Sequence, residues 1–415
     1  MKKIILIGTQ CWFVDSFLFF IEKGFDGFFI KIKTKNPFFE KNYSILEEIG
    51  FKGISIDELD LDQLGLDDQT LIISGSAFSD TNSLSVHKEY SFDLINVLYE
   101  ISKYNVEHKC KAKVIRYFNG DTGFSSKETA NFLNEKIKYV DTLIFDNNIL
   151  EELVLNNIPN AVNKNRFIGW VETPLERYIQ FNDNNNIENT GILLGRMMTA
   201  SYFDFKNKLT IYGTLFPIPI QNNNNNNIFI GYTNNEKYFI IYFLGIKISF
   251  KKKIKKIVYN MSGNDSFSNI LQYRKLFFEN HSNITFGLSH LYDSFNGSNK
   301  SFLENKDLFL SISGQNLAHS IFSNTEMHYA YCNNPSKDIS YLMNGIIPLI
   351  SHNIHNVYKD MIDKKMAIII NSQEDINKVL EMSKEEIIEY RNNIYKNRDI
   401  FTFERVGNFM ISLLK

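Results

Sequence analysis

Residues 1–175 alternate between two kinds of segment, and this alternation limits the fold more than any other feature of the chain. Short runs at Lys3–Gly8, Phe28–Ile32, Leu71–Ser74, Val114–Tyr117, Thr142–Phe145 and Phe167–Trp170 are rich in Ile, Val, Phe or Leu and are bounded by Gly, Asp or Asn. Runs this short and this apolar fit strands buried on both faces of a parallel sheet. Between them lie helical stretches at Phe13–Glu22, Ser44–Ile49, Ser91–Tyr104, Ser125–Ile137 and Asn148–Asn156. Parallel strands need crossovers and helices supply them, so the order predicts a doubly wound α/β domain.

The pattern breaks after Pro174. The Asn-rich stretch Phe181–Thr190 has no periodicity and marks a domain boundary. The alternation then restarts, with strands expected at Gly191–Gly195, Leu209–Gly213, Lys256–Asn260, Ile284–Leu288, Leu308–Ser311, Met327–Tyr331, Ile347–Ser351 and Ala367–Ile370. Helices are expected at Tyr202–Lys208, Ser266–Asn280 and near Phe302–Asn305, while Thr214–Phe250 is hard to read. Ser372 with Asp375, and Ser383 with Glu386, resemble the capping boxes that open helices. A chain of 415 residues suits two such domains, here 1–180 and 190–395, followed by a terminal helix over 396–415.

Several function classes are excluded. The net charge is −2, so no global basic bias implies nucleic acid. Three cysteines, Cys11, Cys110 and Cys332, are far apart and form neither a zinc spacing nor a disulfide framework. The opening Lys3–Gly8 run reads as a strand, not a secretory signal, and the longest apolar run, Tyr238–Ile246, is far short of the ~20 residues of a membrane span. The expected location is the cytoplasm. The first strand is followed by Gly8-Thr9-Gln10-Cys11-Trp12, not by the Gly-x-Gly-x-x-Gly of a dinucleotide site. The chain has no phosphate-binding Gly-x-x-x-x-Gly-Lys loop, no Gly-x-Ser-x-Gly elbow and no Asp-x-Asp pair after a strand.

The most informative stretch runs from Asn333 to Ser351. Pro335 suits the first turn of a helix over Ser336–Asn344, Gly345 suits its left-handed end, and Ile347–Ser351 is the next buried strand. The helix N-terminus directs amide N–H groups outward, and Lys337 in its first turn adds positive charge, a combination that suits an anion. This segment resembles the C-terminal lobe of GT-B glycosyltransferases of the family 4 type. They carry a pattern of the form Asn-Pro-x-Lys, Tyr-Leu, Gly-x-Pro-hydrophobic-Ile, matched here by Asn334, Pro335, Lys337, Tyr341, Leu342, Gly345, Pro348 and Ile350. A second match is Ile192-Leu193-Leu194-Gly195-Arg196, a strand ending in Gly-Arg. An arginine at such a strand end suits bidentate contact with phosphate.

The resemblance implies a GT-B fold, two Rossmann-like doubly wound domains facing each other across a cleft. The first would bind the acceptor and the second a nucleotide-sugar, with the last helix crossing back to the first. It implies transfer of a sugar to a glycan, lipid-linked or protein-linked acceptor in bacterial surface glycan biosynthesis, such as capsule or lipopolysaccharide. No cofactor and no metal are expected. The donor-binding residues would be Gly195, Arg196, His328, Asn334, Pro335, Ser336, Lys337, Asp338, Tyr341 and Gly345, with His352 and His355 as further candidates for nucleotide or sugar contacts. Candidate bases for the acceptor hydroxyl lie on loops of the first domain, at Asp121, Asp15 and His87, with Asp80 also available. The segment Tyr238–Lys256 is aromatic and then basic, and is similar to one that recurs in bacterial surface-polysaccharide transferases. It suits peripheral contact with the inner face of the cytoplasmic membrane, or a core hairpin with a solvated basic strand.

The chain also departs from the pattern. Many retaining members place two Glu seven residues apart around the helix, where this chain has Asn333 and Ser340, and Gly345 is separated from Pro348 by one extra residue. Inverting and retaining outcomes both stay open. So do two other readings: a GT-B-like sugar-nucleotide epimerase, and a degenerate lobe pair that binds glycan or a partner.

Overall fold

Seven parallel strands form the first sheet of the computed structural model. They are β1 (Lys3–Ile7), β2 (Asp26–Lys31), β3 (Lys52–Ser55), β4 (Thr70–Ser74), β5 (Lys113–Phe118), β6 (Thr142–Phe145) and β7 (Asn165–Ile168), in the order β3-β2-β1-β4-β5-β6-β7. The structure describes residues 1–7, 13–31, 37–74, 88–118, 127–179, 181, 188–194, 209–212, 220–221, 230–234, 238–243, 246–251, 284–288, 336–350, 356–370 and 372–414. Helices α1 (Leu18–Glu22), α2 (Pro37–Glu48), α3 (Lys88–Glu107), α4 (Lys127–Lys136) and α5 (Asn148–Asn157) make the crossovers. The central strands are apolar on both faces, as their position requires: Ile4, Ile5, Leu71, Ile72, Ile73, Val114, Ile115, Leu143 and Ile144 are all buried. The strand missed by sequence reading is β3, which holds the sheet edge with a half-exposed Lys-Gly-Ile-Ser.

The second sheet has the order β10-β9-β8-β14-β15-β16. Its strands are β8 (Glu188–Leu194), β9 (Leu209–Tyr212), β10 (Ile220–Gln221), β14 (Ile284–Leu288), β15 (Ile347–Ile350) and β16 (Ile368–Ile369), all parallel except β10. Helices α6 (Ser336–Met343), α7 (Asn356–Asp363), α8 (Gln373–Leu380), α9 (Lys384–Lys396) and α10 (Phe403–Ser412) complete the described second half. Both predicted helix starts at Ser372 and Ser383 are full capping boxes, with each Ser accepting from the third residue's N–H and that residue's carboxylate accepting from the Ser N–H. The stretch that was hard to read contains a small antiparallel sheet, β11 (Ile230–Asn234), β12 (Tyr238–Phe243) and β13 (Ile246–Lys251). The strands expected at 256–260, 308–311 and 327–331, and the helices at 202–208, 266–280 and 302–305, lie outside the described residues. The chain is thus an α/β protein built on two doubly wound, largely parallel sheets.

The last helix does not pack with the lobe that precedes it in sequence. Phe403, Val406 and Met410 of α10 are buried in the apolar core of the first sheet. The Phe403 ring meets Phe17, Phe19 and Phe20 edge-on at 5.3, 5.8 and 5.9 Å, and Phe409 stacks on Phe167 at 4.1 Å. The return crossing is fastened by polar contacts. Phe403 N–H donates to the Pro174 carbonyl at 2.9 Å, and Arg398 Nε donates to Glu176 at 2.8 Å. Both Glu404 carboxylate oxygens accept from the Glu176 N–H, at 2.9 and 3.0 Å.

Candidate functional site

Strand β8 lies between β9, its successor in sequence, and β14, which is reached by a long crossover. The winding direction therefore reverses between β8 and β14. In open α/β sheets, ligands bind beyond the strand carboxyl ends at such a reversal. Leu194 ends β8 there, and Gly195 and Arg196 are the next two residues of the chain. The chain runs from β14 through α6 to β15, its parallel neighbour, so α6 opens at the same carboxyl edge.

Helix α6 begins at Ser336, with Lys337 and Asp338 in its first turn. It ends as its sequence demands. Gly345 has φ +63°, Ile346 N–H donates to the Tyr341 carbonyl at 3.0 Å, and Gly345 N–H donates to Leu342 at 3.1 Å, the paired bonds of a Schellman end. Every residue from Asp338 to Met343 is buried. The Asp338 carboxylate accepts from the Tyr358 hydroxyl of α7 at 2.5 Å, which ties the first turn of α6 to its neighbour. Tyr341 is fully buried against β14, so closely that a Cβ on Gly287 would lie 2.4 Å from its ring. Ser340, at one of the positions where retaining relatives carry Glu, is also buried. Of the residues expected to bind donor, Ser336, Lys337, Asp338, Tyr341 and Gly345 thus share one helix and its end, while Gly195, Arg196, His328, Asn334, Pro335, His352 and His355 lie outside the described residues.

The first sheet reverses between β1 and β4. Among the candidate bases, Asp15 is described, buried in the 3-10 turn Val14–Phe17 that follows β1; Asp80, His87 and Asp121 lie outside the described residues. The same carboxyl edge carries a polar cluster that sequence reading missed. Ser74, the last residue of β4, accepts from Arg116 Nη1 at 3.0 Å and from the Tyr117 N–H at 3.2 Å. The Tyr117 hydroxyl donates to the buried Asp146 carboxylate at the end of β6. Arg116 is 1% exposed and its guanidinium lies 5.1 Å from the Phe118 ring centre. The available signal was an arginine inside the otherwise uncharged run Val-Ile-Arg-Tyr-Phe, since a fully buried charge is rare without a partner.

The two carboxyl edges meet. Helix α5 starts directly after β6 and α7 starts shortly after β15, so each N-terminus marks the carboxyl edge of its own sheet. Asn356 N–H donates to Asn148 Oδ1 at 2.7 Å, and Asn148 N–H donates to Asn356 Oδ1 at 3.4 Å. Each asparagine thus satisfies an amide in the other helix's first turn. Phe13, after β1, and Trp170, after β7, are buried in the apolar cluster that includes Phe286, Ile347 and Leu349 of the second sheet.

A groove of about 480 Å³ lies elsewhere, beside edge strand β16 between α8 and α9. Lys365 on its rim pairs with Glu389 at 2.8 Å and Lys378 pairs with Glu374 at 2.9 Å. Among the described residues, no group of three His, Cys, Asp or Glu is arranged to hold a metal ion. No described helix is long and apolar enough to cross a membrane.

No family model matches the chain, and no curated protein matches its sequence. Solved structures similar to it include Anabaena HepE in complex with UDP and glucose, at TM-score 0.44 and 7% identity, covering 99% of this chain and 100% of that one. The Candida albicans trehalose-6-phosphate phosphatase N-terminal domain gives TM-score 0.45 and 9% identity, covering 100% and 97%. Arabidopsis thaliana UGT89C1 complexed with UDP gives TM-score 0.40 and 10% identity, covering 100% of each. The α/β architecture rests on the strand orders of the chain itself.

Proposed function

We propose that this chain is a glycosyltransferase of the GT-B type. It takes a nucleotide-sugar and transfers the sugar to a glycan, lipid-linked or protein-linked acceptor in bacterial surface glycan biosynthesis. One observation carries the reading: β8, which Gly195 and Arg196 follow in the sequence, borders the reversal point of the second sheet, and α6, with Lys337 in its first turn, opens at that same edge. The leaving diphosphate develops negative charge as the glycosidic bond breaks. An arginine fork, a lysine and the first amides of a helix are donors of the kind that stabilise it. The acceptor would lie against the facing edge of the first sheet, where Asp15 and the loop residues Asp121 and His87 supply candidate bases.

The test is thermal stabilisation by UDP, GDP, CMP, ADP and dTDP. A selective rise in Tm that disappears in folded Lys337→Ala and Arg196→Ala proteins supports the donor site and identifies the nucleotide. Ser340 and Asn333, in place of an acidic pair, favour a second reading as a degenerate binding module. No shift with any nucleotide, together with retained glycan binding, would favour that reading.

A further inference from the structure

The second sheet ends at β16, which has β15 on one side and no described strand on the other. Its two residues, Ile368 and Ile369, are half-exposed and carry no charge to blunt the edge. Ile370 N–H donates to the Ile350 carbonyl of β15 at 2.7 Å. Backbone groups of successive residues in a strand face alternate sides, so the N–H and C=O of Ile369 face the open edge. The groove of about 480 Å³ runs along this edge. Ile368 and Ile369 both line it although their side chains point to opposite faces of the sheet, so the groove meets the strand edge-on. Val379 of α8, Met382 and the half-buried Tyr390 of α9 complete an apolar floor. The rim is acidic. Asp375, Glu381, Glu386 and Glu389 outnumber Lys365 and Lys378, and Lys365 is already matched to Glu389. Glu381 is the C-cap of α8, where the helix presents its negative end. Lys378, the basic residue of the last turn, is turned back to Glu374 and Asp375 instead. A carboxylate placed at a negative helix end is unfavourable until a cation comes to it.

We propose that this edge receives an extended segment of a partner protein in which lysine or arginine alternates with apolar residues. The added strand bonds to the N–H and C=O of Ile369, lays its apolar side chains on the floor beside Ile368, Val379 and Tyr390, and brings a cation to Glu381. Each part of the groove selects one property of the occupant. The open edge selects an extended backbone, the floor selects apolar side chains, and the rim selects positive charge. An acidic segment is repelled by Glu381 and Glu386, and a free small cation leaves the edge and the floor uncovered. The groove lies two strands beyond β14, away from the reversal point, so the inference does not depend on the transferase reading and its test uses no sugar nucleotide.

The probe is the synthetic peptide acetyl-Val-Lys-Val-Lys-Val-amide, titrated against the full-length protein at low salt while amide hydrogen exchange is followed. The peptide with glutamate in place of lysine, and spermidine, serve as comparisons. The lysine peptide should bind and slow exchange at the Ile369 amide, and the glutamate peptide should do neither. Spermidine should leave that amide unprotected. Glu381→Gln should weaken binding of the lysine peptide by about two- to five-fold, the range of an exposed ion pair. Ile369→Pro removes the outward N–H and keeps the inward bond of Ile370, so it should weaken binding by about two- to ten-fold. Glu100→Gln, on α3 of the first lobe, should change nothing. Unchanged Tm values show that the variants are folded, and if Ile369→Pro does not fold, Glu381→Gln still decides. Binding of neither peptide, equal binding of both, exchange at Ile369 that is not slowed, or unchanged affinity in Glu381→Gln would each overturn the proposal. Protection of Ile369 that rises with protein concentration in the absence of peptide would make a second copy of the chain the occupant and would overturn it as well.

Discussion

Replacing Phe403 with alanine should destabilise the lobe farther away in sequence. Phe403 is fully buried, and its ring makes three edge-on contacts at 5.3, 5.8 and 5.9 Å with Phe17, Phe19 and Phe20 of the first lobe. Removing a buried phenylalanine from a packed core costs about 3–5 kcal/mol, and edge-on aromatic pairs contribute about 0.5–1.5 kcal/mol each within that loss. Against a domain stability of roughly 5–15 kcal/mol, this is a large share. The loss should fall on the first sheet, because that is the core the ring enters. Native-state hydrogen exchange reads the two sheets separately. Protection in β1, β4 and β5 should drop by about two to three and a half orders of magnitude, at 1.4 kcal/mol per decade. Protection in β14 and β15 should drop by much less. Unchanged protection in β1 and β5, with loss confined to β14 and β15, would refute the reasoning.

Four further outcomes are expected. Gly287→Ala must push the Tyr341 ring away from β14 and should lower stability by about 1–3 kcal/mol in denaturant unfolding; a neutral effect would mean that α6 is not seated as described. Lys109 ends α3 at φ +55°, a conformation that costs a residue with a Cβ about 1 kcal/mol, so Lys109→Gly should raise the unfolding midpoint. Asn148→Ala removes the acceptor of the Asn356 N–H and Asn356→Ala the acceptor of the Asn148 N–H, so each should cost about 0.5–1.5 kcal/mol in denaturant unfolding, whereas no cost in either would show that the lobes do not meet there. Burial raises the pKa of Glu404 above its ordinary 4.5, against the Glu176 N–H bond that lowers it, so the folded state holds this proton more tightly than the unfolded one. Its stabilising effect is complete below pH 4.5 and is lost as pH rises through the raised value, so the stability of wild type relative to Glu404→Gln should fall with rising pH in urea titrations; a rise would reverse the sign of the argument.

The parts of the fold legible in the sequence were those specified locally. Strand β6 needs no partner to be recognised, because Thr-Leu-Ile-Phe between Asp141 and Asp146 is apolar on both faces. The Schellman end at Gly345 and the capping boxes at Ser372 and Ser383 are written in single residues at fixed offsets. Strand β3 was missed because an edge strand is half solvated, and Lys-Gly-Ile-Ser carries too little apolar signal to stand out. In the candidate site, Lys337 at the start of α6 was legible because helix N-termini follow local rules. The Ser74–Arg116 contact and the Asn148–Asn356 pair were not, because they join residues 42 and 208 positions apart and depend on how the sheets are wound and docked.

The winding of the two sheets also explains what gathers at the carboxyl edge of each. In a parallel sheet, every crossover helix starts at the carboxyl edge, so that edge collects helix N-termini and their unpaired amides. Two such edges brought face to face would repel through their positive helix ends unless something neutral or negative stood between them. At α5 and α7 that role is taken by a pair of asparagines, each capping the other's helix, which satisfies the amides without charge and fixes the two lobes to each other at one point. At α6, Asp338 of the first turn has its carboxylate turned inward to Tyr358. The lobes are pinned beside α5 and α7, and α10 straps the second half of the chain to the core of the first sheet.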